Sequence, residues 1–297
     1  MDALAEILVQ LRTLNDTLQR LAPPAPASVD WGVAHAFRWQ GADHRQPLQA
    51  ICRTRNLQLG DLLGIERQKA ALVDNTRQFL EGRPCNHALL WGSRGTGKSS
   101  LIQALLNAFA DRGLRVIEVS RQHLGELPAI QDILRDRPER FILYCDDLAF
   151  EADDAGYKAL KATLEGSLAA MPENLLIYAT SNRRHLLPEY SEDNQQARWV
   201  EGELHQGEAV EEKISLSERF GVWPSFHAFN QDQYLAIVRH WLDQLSNSSD
   251  WESARREALA YALLRGSRSG RVAWQFARDW VGKQQSANTV VHAVPGQ

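Results

Sequence analysis

The stretch LLWGSRGTGKSSLI, residues 89–102, decides the reading of this chain. Gly92 to Ser99 satisfies the pattern G-x-x-x-x-G-K-[ST]. A short apolar run enters it and an amphipathic run leaves it, the strand-then-helix setting a phosphate cradle needs. Glycines let backbone N–H groups turn inward around phosphate oxygens, and the following helix points its positive dipole end at the same place. Gly92, Ser93, Arg94, Gly95, Thr96, Gly97, Lys98, Ser99 and Ser100 are the candidate nucleotide contacts. Lys98 is suited to the β and γ phosphates, and the Ser99 hydroxyl to a Mg²⁺ ion. A Gly-rich turn without a ligand is the competing reading; motif and context together weigh against it.

Two further stretches extend the cradle into a site. The apolar run Phe141–Cys145 ends in Asp146 and Asp147. A carboxylate at the carboxyl end of a parallel strand lies where ligands bind in such sheets. Asp146 is a candidate Mg²⁺ ligand, directly or through water, and Asp147 a candidate to orient or deprotonate the attacking water. A turn-capping role competes for Asp147. One helix and one strand later, YATSN ends in Asn182, whose amide can position water at a γ-phosphate. A Ser-Asn pair that merely opens a turn is the plainer alternative.

The remaining pattern is alternating. VAHAFRW, NHALLWG, LRVIEVS, RFILYCDDL and NLLIYATSN read as strands, and SFHAF as a last one. Helices are expected over residues 66–80, after the cradle up to Gly113, and in DAGYKALKATLEGSLAA. Apolar strands alternating with helices predict an α/β fold: a P-loop parallel sheet with helices on both faces. From residue 231 only helices follow, at 232–245, 251–264 and 270–283, a small all-helical lid. The expected organisation is an N-terminal amphipathic helix and Pro-rich linker (1–29), a nucleotide-binding domain (30–230), the lid (231–285) and a loose tail (286–297). The polar, acidic segment 189–212 yields no assignment.

Leu4, Ile7, Leu11, Leu14, Leu18 and Leu21 alternate spacings of three and four, a short a/d seam. It fits a helix docked on its own body as well as one that self-associates or binds a partner. Three prolines between residues 22 and 28 set it apart as an appendage.

Composition narrows the function classes. The formal net charge of −4 supplies no long-range attraction to nucleic acid or anionic lipid, so any such contact needs a local patch. No apolar run is long enough to span a membrane. Cys52, Cys85 and Cys145 follow no metal-ligand spacing and read as reduced packing residues of a cytoplasmic protein. The nine tryptophans form no stacking platform at any spacing and read as core or interface fillers.

The order of these motifs, followed by LSERFG and then SGR in the helical region, resembles an AAA+ ATPase. It is closer still to the bacterial AAA+ family catalogued as domain of unknown function 815, through DLLGIERQK, WGSRGTGKSSL, FILYCDDLAFE, YATSNRRHLLPE, EEKISLSERFG and SGRVAWQFA. The resemblance implies that Leu63, Gly64 and Ile65 line the adenine and that Asn182 is the first sensor residue. It implies that Arg219 is an arginine finger completing a neighbouring subunit's site, and that Arg271 is the lid's phosphate sensor, with Arg268 as runner-up. The competing readings are a surface ion pair with a local glutamate for Arg219 and an ordinary helix-terminal residue for Arg271. Asp147 departs from the superfamily's usual glutamate by one methylene, and Glu151 is an outside candidate to compensate. Arg183 and Arg184 suit a phosphate, a partner or the acidic segment.

The leading expectation is therefore an ATP- and Mg²⁺-dependent ATPase that assembles as a homo-oligomeric ring or open spiral and remodels or loads a protein or nucleoprotein client. A nucleotide-binding switch with little hydrolysis, and a DNA-binding loader or recombination accessory, are the alternatives.

Overall fold

The computed structural model describes residues 7, 8, 10–14, 29–150, 154–165, 171–184, 186, 198–200, 203–205, 216–246 and 250–292, with backbone only at 198–200, 203–205 and 286–292. Seven strands form one sheet: β1 (Ala36–Trp39), β2 (Leu48–Ile51), β3 (Ala88–Gly92), β4 (Leu114–Glu118), β5 (Arg140–Cys145), β6 (Leu175–Ser181) and β9 (Ser225–Phe226), in the order β2-β1-β4-β5-β6-β3-β9. All neighbours are parallel except the β1–β2 hairpin at one edge. A separate antiparallel pair, β7 (Arg198–Val200) and β8 (Glu203–His205), falls within the acidic segment that the sequence left unassigned.

Alternation along each central strand builds two cores, one per face. Leu89, Phe141, Leu143, Cys145, Leu175, Ile177 and Ala179 point to one side. Leu90, Ile142, Leu176 and Tyr178 point to the other. Successive side chains on a strand face opposite ways, so strands apolar throughout can feed both layers only if helices cover both. Helix α1 (Glu66–Leu80) and α2 (Lys98–Phe109) cover one face; α3 (Leu127–Leu134) and α4 (Ala155–Glu165) cover the other.

The lid consists of α5 (Gln231–Leu245), α6 (Trp251–Leu264) and α7 (Gly270–His292). Asn230 caps α5 by accepting from Gln233 N, and the Gln233 side chain accepts from Asn230 N in return. Tyr234, Val238, Leu242, Ala258 and Phe276 join the same apolar cluster as α1 and α2. The lid is therefore packed onto the body above the carboxyl edge of the sheet.

Several expectations change. The loose tail expected from residue 286 instead continues α7 to His292. The SFHAF strand shrinks to Ser225 and Phe226, while β2 and α3 had no counterpart in the sequence reading. Cys52 is exposed and does no packing, unlike Cys145. Ile7, Leu11 and Leu14 are each more than half exposed, so the N-terminal helix is not docked on the body at those residues. Among the described residues no helix is long and apolar enough to cross a membrane.

Candidate nucleotide site

The motif residues meet because β6 lies between β3 and β5 in the sheet, which sets the ends of three strands side by side. Gly92 closes β3 with φ +127°; a Cβ there would lie 2.0 Å from the Phe226 carbonyl oxygen, so only glycine lets β9 pass. Gly97 has φ +102° and opens α2 in a left-handed turn, which places Lys98 at the helix N-terminus.

Lys98 is buried. Its ammonium donates to the carbonyls of Gly92 (2.7 Å) and Ser93 (2.8 Å) and to Asn182 Oδ1 (3.1 Å). Burial lowers its pKa, opposed by the charges of Asp147 and Asp146. The Ser99 hydroxyl donates to Asp146 Oδ1 at 2.9 Å.

Thr180, one strand over, lies in YATSN, and the sequence assigns it no role. Its hydroxyl donates to Asp146 Oδ1 (2.5 Å) and accepts from the backbone N–H of Asp147 (2.8 Å). Strand alternation carried the signal: Tyr178, Thr180 and Asn182 share one face. Asp147 has φ +51°, the one positive value at a non-glycine among the described residues. Its carboxylate also accepts a short bond from Asn182 Nδ2. Burial alone would raise the Asp146 carboxyl, but the hydrogen bonds it accepts outweigh burial and hold it below the usual carboxylate range. The Tyr144 hydroxyl sits beside it, buried, close enough to act electrostatically but without a hydrogen bond of good geometry.

Lys98, Ser99, Asp146, Asp147, Thr180 and Asn182 line a cleft of about 920 Å³ between the sheet edge and the lid. Leu63 and Ile65, the candidate base contacts, line it together with Leu57, Leu62 and Ile237. Gly64, between Leu63 and Ile65, has φ +76°, a backbone conformation that favours glycine, and a Cβ there would lie 3.1 Å from the Phe229 ring. Lys69 holds the segment by donating to the carbonyls of Leu59 (3.0 Å) and Leu62 (2.9 Å). Asp61 ties it to the lid, accepting from Gln244 (2.7 Å), from the Gln58 backbone (2.8 Å) and bonding His240 Nε2 (3.1 Å). Arg94 to Ser100 line the cleft as a continuous run, while Gly92 and Ser93 lie behind it.

From the lid, Arg271 lines the cleft and its backbone N–H donates to Gly95 O at 3.3 Å; Arg268 is exposed outside the lining. Trp241 and Trp274 also line it, edge to face with centroids 4.6 Å apart. Trp241 also packs against the core cluster, as expected of a filler, and the edge-to-face pair is not a stacked platform. The two residues lie on different helices, and only the α5–α7 packing joins them.

Arg219 is not among the cleft residues. It pairs with Glu165 at the end of α4. Arg184 sits over both Trp91 and Trp223, 5.7 Å from each ring, and Arg183 is exposed. Glu151 lies outside the described residues.

A cradle of left-handed glycines at a strand-to-helix turn can wrap phosphate. A low-pKa carboxylate beside a serine hydroxyl and a buried orphan tyrosine hydroxyl fits a hydrated divalent cation. The strand order, with the cradle after β3 and the paired aspartates after β5, and the helical lid make this an AAA+ P-loop fold. The chain belongs to the family described as protein of unknown function (DUF815), which matches residues 32–284. Among solved structures it is similar to the Thermotoga maritima RuvB Holliday junction branch migration motor, at 16% identity and TM-score 0.53, covering 80% of this chain and 67% of that one. A point mutant of that protein aligns at 17% identity and TM-score 0.54, covering 80% of this chain and 68% of that one. No curated protein matches.

Proposed function

We propose that this chain binds Mg-ATP in the cleft and hydrolyses it at an interface between subunits, driving the remodelling or loading of a protein or nucleoprotein client. One observation carries the reading: Lys98, Ser99, Asp146, Thr180, Asp147 and Asn182 form a single hydrogen-bonded chain across three strand ends, facing Arg271 of the lid.

In this reading the triphosphate oxygens replace the Gly92 and Ser93 carbonyls as acceptors for Lys98, which neutralises the β and γ oxygens. Ser99 and Asp146 would hold Mg²⁺, which supplies charge neutralisation across the phosphates. Asn182 and Asp147 orient a water in line with the γ-phosphorus. The water oxygen–phosphorus bond forms as the bond to the β-bridging oxygen breaks. The water proton leaves toward Asp147, and ADP departs with the electron pair. Arg271 from the lid and Arg219 from a neighbouring copy offset charge on the transferring group. Leu63 and Ile65 contact the base.

Lys98→Ala should abolish nucleotide binding. Arg219→Ala should spare binding and remove turnover; normal turnover by that variant would refute the in-trans site.

A second reading, an ATP-driven switch with little hydrolysis, is favoured by the short Asp147 already engaged with Asn182. Phosphate release equal to that of Asp147→Asn would support it. A DNA-loading role is the alternative that salt-dependent DNA binding would test.

A further inference from the structure

Ile7, Leu8, Leu11 and Leu14 lie outside the lining of the nucleotide cleft. Residues 10–14 are helical, and Ile7, Leu8, Leu11 and Leu14 are 55%, 51%, 55% and 56% exposed. Short isolated helices are marginal in water, so a helix with an open apolar face needs a partner. The exposure of these side chains rules out the body of the same chain as that partner.

The sequence around the seam says which partner fits. With Leu4, Leu11 and Leu18 at heptad position a, Ile7, Leu14 and Leu21 take position d. The flanking g positions are Ala3, Gln10 and Thr17, and the e positions are Leu8, Asn15 and Ala22. None is charged. Asp2, Glu6, Arg12, Asp16 and Arg20 all fall at b, c or f, on the outer face. Charges at e and g are what select a foreign partner in coiled coils, and like charges there are what keep identical strands apart. This segment has neither. Its Leu/Ile seam is complementary to itself, and two identical strands meet with only Gln, Asn, Thr and small or apolar residues along their flanks. Leu8 widens the apolar face at one edge.

We infer that the N-terminal helix pairs with the same helix of a second copy of this chain through the seam that carries Ile7, Leu11 and Leu14. This contact is independent of nucleotide and of Arg219, so it stands or fails apart from the proposed ATPase.

The test uses the full chain without nucleotide, its mass read by light scattering across a wide concentration range. The expected result is a species at least twice the 33.5 kDa chain. The double variant Leu11→Glu, Leu14→Glu should fall to a single chain while binding ATP as the parent does, and Lys98→Ala should leave the association intact. A parent of single-chain mass throughout, or a double variant with the parent's mass, overturns the pairing. Cross-linking is a second readout. In a Cys52→Ser background, Leu14→Cys, alone for parallel helices or mixed with Leu11→Cys for antiparallel ones, should form an interchain disulfide on mild oxidation, and Thr13→Cys, at an outer position, should not. Cross-linking through Thr13→Cys as efficient as through the seam, or none through the seam in either combination, also overturns it.

Discussion

Arg219 and Glu165 form an ion pair that closes the segment after the acidic region onto the end of α4, away from the chain's own nucleotide cleft. A residue proposed to serve a neighbouring site is thus held by a carboxylate of its own chain. Both side chains are about one-third exposed, at 32% and 37%, so the pair is easily exchanged for a phosphate. Pairs of this exposure contribute roughly 0.2–1 kcal/mol, which sets how much the contact can restrain.

Glu165→Ala should therefore raise ATP turnover at low subunit concentration by at most about fivefold, the factor that energy allows. Turnover at saturating subunit concentration should not change. Phosphate release measured against protein concentration checks this, and a fall in turnover would mean that Glu165 helps to place Arg219.

Thr180 links the two aspartates through one hydroxyl. Thr180→Val keeps the shape but leaves the Asp147 N–H without its acceptor and removes a donor from Asp146. We expect a stability loss of about 1–3 kcal/mol, the cost of one stranded polar group. We also expect turnover to fall by an order of magnitude or more while nucleotide affinity changes little. Thr180→Ser should restore most of both. Denaturant melts and single-turnover assays separate the two effects.

Trp241 and Trp274 are the two tryptophans that line the cleft. Nucleotide binding should change intrinsic fluorescence, and the change should vanish in the Trp241→Phe, Trp274→Phe double variant although seven other tryptophans remain of the nine. Trp274→Ala should weaken binding by roughly tenfold, since a lost aromatic contact costs about 0.5–1.5 kcal/mol beyond area. An unaltered fluorescence response in the double variant would place the base elsewhere.

His87 is held neutral. Burial lowers its pKa to about 4, and its Nδ1 accepts the Ile177 N–H at 3.1 Å. The unfolded chain takes up this proton near the ordinary value of 6.5. Between those two pH values the unfolded state binds more protons, so stability falls as pH drops from about 6.5 to about 4 and levels off below. The imidazole contributes on the order of 3 kcal/mol to that fall. Urea melts at several pH values should show the slope, and His87→Gln should flatten it over the same window.

Much of the site could be read from residue order. Gly92 to Ser99 named a candidate phosphate cradle, because that spacing of glycines, lysine and hydroxyl suits one. The apolar run before Asp146 placed a carboxylate at the end of a buried strand, because strands apolar on both faces must be covered on both. Helix α1 was legible to its ends, 66–80, because an amphipathic period and the Gly82–Pro84 stop agree.

Other relationships belong to tertiary structure alone. Thr180 could be quoted but not assigned, since its partners are 33 and 34 residues away and lie on another strand. Trp241 and Trp274 meet only where α5 packs on α7. The a/d seam was visible, but the exposure of Ile7, Leu11 and Leu14 within it was not. Local sequence determined which residues are candidates for phosphate-binding chemistry, because they lie together in one turn. Only the sheet order, with β6 between β3 and β5, and the docking of the lid decided which distant side chains complete it, because those contacts cross elements whose separation in sequence carries no signal of their meeting in space.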